Sequence, residues 1–320
     1  MSFRCANSGC YVTDGEACAL GHASSTECDF GAALHAAAEH ADASMRDTTG
    51  RVPWSGAALG LADLGQLTPR ARSIVIGVMG PHDAGKTTLL TGNYLALLQG
   101  HRVANAGFSG SRTLAAWEGL AAWTRFDDAT RPPTFPPHTP RAAARSPGLL
   151  HLALRRDSGE FRDVLLTDGP GEWFTRWSIN EAAPDAEGAR WTARHADGFL
   201  VVADCSRLAS PDYGTARQAT RSLIERLGNH IAGRPMVFVW TKSDHTPQER
   251  PRAAIREALG AHIPNVREAE STVSRPNSLV TALSLLLEDT WNPPYARRVV
   301  DPVLGNDGFA RFRGRGHDRT

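Results

Sequence analysis

Lysine is almost missing from this chain. Only Lys86 and Lys242 are lysines among its 35 basic residues; the others are arginine. A GC-rich coding bias swaps lysine for arginine wherever charge alone matters. A lysine that persists marks a place where a planar guanidinium cannot stand in for a compact ammonium. Net charge is also small: 35 basic and 34 acidic residues leave +1. That argues against a general nucleic-acid binder and against a charged tail. No apolar run reaches about 18 residues, so no transmembrane helix is expected. The start, MSFRCANSGCYVTDGEACALGH, lacks an apolar signal-peptide core, and the expected location is the cytoplasm. No internal repeat is visible. What remains is 320 residues with 41% hydrophobic content, enough to bury a core without disulfides.

From Ser73 onward, β-branched apolar runs alternate with helical spacing. SIVIGVMG, GLLHLALRR, FRDVLLTDGPG, DGFLVVADCS and RPMVFVWTKSD read as strands, with HRVANAGF and NVREAESTVS as weaker ones. TTLLTGNYLALLQG, TLAAWEGLAAWTRF, TARQATRSLIERLGNHI, PQERPRAAIREALGAHI and NSLVTALSLLLEDTW read as helices, and residues 172–195 as polar and partly helical. The alternation predicts an α/β fold, a mostly parallel sheet with helices on both faces. The ligand is then expected at the carboxyl ends of the strands. A Pro-rich loop spans residues 127–148, too proline-dense for a regular element. The division reads as a Cys-rich segment with a short helix at 1–46, a connector at 47–72, a main domain at 73–291 and a loosely ordered tail at 292–320.

Three motifs fall at strand ends. Gly80-Pro81-His82-Asp83-Ala84-Gly85-Lys86-Thr87 has the Walker A spacing between a strand and a helix. Its backbone N–H groups would cradle phosphates. Lys86 would reach the β and γ oxygens, and Thr87 would offer its hydroxyl to Mg²⁺; Thr88 belongs to the same binding stretch. Asp168-Gly169-Pro170-Gly171 follows another strand. Asp168 can hold Mg²⁺ through water, and the Gly171 amide can meet a γ-phosphate, a contact that makes a switch possible. Thr241-Lys242-Ser243-Asp244 ends a third strand. The Asp244 carboxylate can accept from guanine N1–H and N2–H₂, a donor pair that adenine lacks. The Lys242 stem can lie over the purine and tie back to the phosphate loop.

In this order the motifs resemble the guanine-nucleotide set of the translation-factor-like and Ras-like class of P-loop GTPases, over about residues 73–291. Asp-Gly-Pro-Gly-Glu, the Val-Pro-Trp-Ser-Gly connector and the Cys-rich start are most similar to the bacterial double-GTPase families. The resemblance implies a Ras-like P-loop fold, GTP and GDP as ligands, Mg²⁺ as cofactor and GTP hydrolysis, which the departures below are expected to make slow. It also implies a protein partner or second GTPase subunit, often within a conflict or defence system, and no membrane. A switch-loop Thr on Mg²⁺ is implied too: Thr139 is favoured, with Thr134 and Thr130 as alternatives. Ser274 is the candidate contact to the guanine carbonyl.

The chain departs from that pattern in places. Thr241 replaces the usual Asn, and its hydroxyl can still bridge to the phosphate loop. His82 stands where a small residue is usual and would crowd the γ-phosphate. Glu172 follows Gly171 where a water-orienting Gln is common; its carboxylate can accept the water proton or be repelled by phosphate. No arginine finger is evident, although Arg131, Arg141 and Arg145 lie in the candidate switch loop. The competing readings are a non-hydrolysing nucleotide-binding adaptor and an ATPase of another P-loop class. The latter usually has Glu directly after its strand-end Asp, where this chain has Gly169.

Cys5, Cys10, Cys18 and Cys28 sit together near the start, with His22 between the last two. In a cytosolic protein this pattern reads as a structural Zn²⁺ site held by the four cysteines, or with His22 replacing one. Unordered thiols and disulfides are the alternatives. Cys205, Trp117 and Trp123 read as core, while Trp173 and Trp177 fit either core or a switch-dependent surface.

Overall fold

The computed structural model describes residues 58–66, 73–125, 133–136 and 147–292. The four N-terminal cysteines, His22, Thr130, Thr139, Arg131, Arg141, Arg145 and the tail from residue 293 lie outside the described residues.

Seven strands form one sheet: β1 (Ser73–Met79), β2 (Ala106–Gly110), β3 (Gly148–Arg156), β4 (Phe161–Asp168), β5 (Gly198–Asp204), β6 (Met236–Thr241) and β7 (Arg267–Ser271). Their order is β2-β3-β4-β1-β5-β6-β7. The pairs β4–β1, β1–β5, β5–β6 and β6–β7 are parallel, and β2–β3 and β3–β4 are antiparallel. The expected mostly parallel α/β sheet is therefore present. Asp204 pairs with Thr241, and Thr241 with Ser271, so three strand ends lie level.

The helices are α1 (Lys86–Leu98), α2 (Leu114–Ala122), α3 (Gly171–Ile179), α4 (Glu187–His195), α5 (Cys205–Ala209), α6 (Tyr213–Gly228), α7 (Glu249–His262) and α8 (Pro276–Thr290). The period-2 side-chain alternation of the strands assigns them to two faces. Ile74, Ile76 and Val78 of β1 join α1, α2 and α8 in one apolar cluster. Met79, Phe199, Val201 and Phe238 join α3 to α7 in the other. Trp117, Trp177 and Cys205 are core residues. Trp123 is half-buried at the end of α2.

Two local details depart from expectation. β2 starts at Ala106, not at His101, because Ala104 and Asn105 both have positive φ and make a tight turn. Val103 and Ala106 hydrogen-bond across that turn. Leu59 forms a two-bond bridge with Leu149 of β3, and Leu61 and Leu64 of a 3₁₀ turn cover Leu149 and Leu165. So part of the connector packs on the sheet.

β1 is the switch point. The chain leaves it toward β2, returns through β3 to β4 on one side, and then passes to β5 on the other. The crevice outside its carboxyl end is where such sheets take ligands.

One buried polar pair secures the β2–α2 turn. The His151 and Asp163 side chains are both fully buried. The Arg112 amide donates to His151 Nδ1 at 2.9 Å, so the ring proton sits on Nε2 and is donated to Asp163 Oδ1 at 2.7 Å. Removing the ring leaves a carboxylate buried without that donor. His151→Ala is expected to cost about 3 kcal/mol of unfolding free energy in urea titration; a loss under about 1 kcal/mol would contradict this account.

Candidate functional site

At the carboxyl ends of β1, β4, β6 and β7 lies a cleft of about 590 Å³. Its wall combines all three sequence motifs: residues 82–88, residues 169–172, and Thr241, Lys242 and Asp244.

The phosphate loop follows β1 directly. Gly85 sits at φ +80, a left-handed conformation that turns the chain into α1. Two helix N-termini, those of α1 at Lys86 and α3 at Gly171, meet at this cleft. The first-turn amides and the dipoles of both helices favour an anion there. Lys86 is buried. Its ammonium donates to the carbonyls of Gly80 (3.1 Å) and Pro81 (2.9 Å). It also lies 5.9 Å from the centre of the Phe174 ring. Desolvation lowers its pKa to about 8, against the opposing pull of Asp168, Glu172 and Asp83.

The second motif closes onto the first. Thr87 Oγ1 donates to Asp168 Oδ1 at 3.3 Å. These two oxygens are a hard donor pair of the kind Mg²⁺ takes, and Thr87 lines the cleft. Gly171 must be glycine: a Cβ there would lie 2.3 Å from the His82 amide nitrogen and 2.5 Å from the Pro81 carbonyl carbon. α3 therefore begins in contact with the phosphate loop. His82 Nδ1 lies 3.3 Å from Glu172 Oε1, so the imidazole contacts α3. Glu172 stands in the first turn of α3, where the helix dipole favours its charge.

The third motif is tied to the phosphate loop from β6. Thr241 Oγ1 is 2.8 Å from both the Ala84 and the Ala203 carbonyls, donating to one at a time. The hydroxyl does make the bridge expected of it. Lys242, at φ +52, donates to the Asp83 carbonyl at 3.1 Å and to Asp204 Oδ2 at 2.7 Å. Asp244 Oδ1 accepts from Thr272 Oγ1 at 2.8 Å. That bond holds its carboxyl below the usual carboxylate range and keeps it ionised.

Ser274 is not part of the cleft wall; Ser271, Thr272 and Val273 are. The Ser274 amide instead donates to Thr272 Oγ1 at 3.3 Å. Thr134 donates its amide to the Trp123 carbonyl, while its neighbours Phe135 and Pro136 reach the cleft. Trp173 is half-buried, its ring lying against Gly169 and Gly188. Among the described residues, no group of three or more His, Cys, Asp or Glu side chains could hold a metal ion. No described helix is long and apolar enough to cross a membrane.

Sequence reading missed Phe135, Thr272, Val273 and Asp204. The first three carry no motif. Asp204 did carry a signal: an Asp two residues before Ser206 at a strand end is a helix N-cap pattern.

The family model of Double-GTPase 2 matches residues 74–292, about two thirds of the chain. No curated protein matches it.

A bound phosphate favours the charged form of Lys86, so its pKa rises on binding. Below about 8 the ammonium is charged in both states, and affinity is flat. Above that value the free protein must first take up a proton, so nucleotide affinity is expected to fall up to ~10-fold per pH unit. Titration of a fluorescent nucleotide across about two pH units either side of that value checks this, with circular dichroism confirming folding at each pH. A flat profile would contradict it, and the Lys86→Met variant should show no such slope.

Proposed function

Since the chain belongs to the Double-GTPase 2 family, we propose that this GTP-binding domain is a switch that hydrolyses GTP slowly, with Mg²⁺. The observation that carries the reading is the buried Lys86 ammonium at the meeting of two helix N-termini, with an ionised Asp244 at the far wall. A triphosphate supplies the negative charge the first place lacks. A guanine supplies the two donors the second can accept.

In the reaction, a water oxygen bonds to the γ-phosphorus while the bond from phosphorus to the β–γ bridging oxygen breaks. Glu172 accepts the water proton. Lys86 and the loop amides, including that of Gly171, hold the charge that develops on the phosphate oxygens. Thr87 and Asp168 would hold Mg²⁺, with Thr139 joining from the switch loop, and the ion would neutralise phosphate charge. Among the described residues no arginine lines the cleft, and turnover is slow until a partner contributes one. Losing the γ-phosphate removes the contact at Gly171 and releases α3.

The resemblance to bacterial double-GTPases supports a place in a multi-protein conflict or signalling system, with a protein partner or a second GTPase subunit. The adaptor reading is favoured by one observation: Glu172 is already engaged with His82. Kinetics separates the two. Lys86→Ala is expected to weaken GTP binding on the order of 100-fold. Glu172→Gln should slow single-turnover phosphate release ~100-fold and leave affinity unchanged. Binding without measurable hydrolysis in the wild type favours the adaptor; preference for ATP refutes the guanine assignment.

For Cys5, Cys10, Cys18 and Cys28 we keep one structural Zn²⁺, with His22 as an alternate ligand. Metal analysis of protein purified without chelator should give about one zinc per chain; none would discard the site.

A further inference from the structure

Beside the phosphate loop, four side chains form a chain of alternating charges, Lys242–Asp204–Arg207–Asp83, whose ends meet through the Asp83 main-chain carbonyl. Lys242 Nζ contacts Asp204 Oδ2 at 2.7 Å, and the same ammonium donates to the Asp83 carbonyl at 3.1 Å. Arg207 lies 3.5 Å from Asp83 Oδ2 and 3.9 Å from Asp204 Oδ2. Asp204 is the buried member, its side chain 4% exposed. Besides Lys242 it accepts from the Ser206 amide (2.8 Å), the Ser206 hydroxyl (2.6 Å) and the Arg207 amide (3.2 Å). Burial pushes its carboxyl up, but these bonds outweigh burial and hold it ionised.

We propose that Asp204 is a positioning residue for guanine nucleotide binding: it fixes the Lys242 ammonium on the Asp83 carbonyl and thereby sets the base loop against the phosphate loop. A lysine carries a flexible four-carbon stem and a point charge. Without a fixed counter-charge it samples many rotamers, and Lys242 already sits in a left-handed backbone conformation. A buried carboxylate held by three other donors is a rigid anchor for that stem. The same carboxylate caps α5, which carries Arg207 back to Asp83. Asp204 lies outside all three motifs, and the cleft wall does not include it. It acts through Lys242. The proposal rests on the guanine-nucleotide reading above.

The test is a double-mutant cycle on fluorescent GDP affinity. Asp204→Asn keeps an oxygen for the Ser206 and Arg207 amides, so the α5 cap survives, but it loses the charge facing Lys242. It is expected to weaken GDP ~10-fold and to narrow the preference for GDP over ADP. In a Lys242→Met background the same change should add nothing. Circular dichroism checks folding, and Asp204→Ser, which also retains a cap acceptor, replaces the Asn variant if that one is unfolded. Unchanged affinity, or an equal loss in the Lys242→Met background, overturns the proposal. Failure of the wild type to bind GDP overturns the guanine reading instead.

Discussion

The Lys86 ammonium is buried at the start of α1, and most of the site follows from that placement. Burial disfavours its charge, and so does the positive end of the helix dipole. Its ammonium hydrogen-bonds neutral carbonyls of its own loop, while Asp168, Glu172 and Asp83 act on it through space. Such an arrangement is poor as a stabilising device and good as a receptor. An anion with several oxygens relieves the desolvation, satisfies the loop amides and meets both helix dipoles at once.

The surroundings hold that receptor in shape by contacts between distant stretches of chain. α3 is seated on the phosphate loop through Gly171, where only a glycine leaves room for the backbone of residues 81 and 82. β6 reaches the same loop through the Thr241 hydroxyl and the Lys242 ammonium. β5 braces that ammonium through Asp204. The phosphate loop, α3 and the base loop are thus in direct contact, the connection that the proposed switch would use.

Much of the fold was legible because its strands are continuous apolar runs. β5 and β6 are buried along their whole length, as a parallel sheet covered on both faces demands. The start of β2 was misread because nothing in HRVANAGF announces two consecutive positive φ angles at Ala104 and Asn105. In the site, the three motifs were legible because binding phosphate and base requires particular residue types at short fixed spacing. Phe135, Thr272 and Val273 were not, since they enter the cleft by shape alone.

The scarcity of lysine, the Walker A spacing and the strand-end Asp residues determined, from sequence alone, that this chain builds a phosphate-binding α/β sheet with a purine site. These are local signals, written within a few residues of one another. Only the tertiary structure decided that His82 turns toward Glu172, that Gly171 lies on the phosphate loop and that Asp204 holds Lys242. Those partners are 38 to 90 positions apart along the chain, and the order of the strands brings them together at the carboxyl ends of neighbouring strands. A side chain's charge can be read from its letter, but the neighbour that fixes its position is chosen by how the strands are ordered.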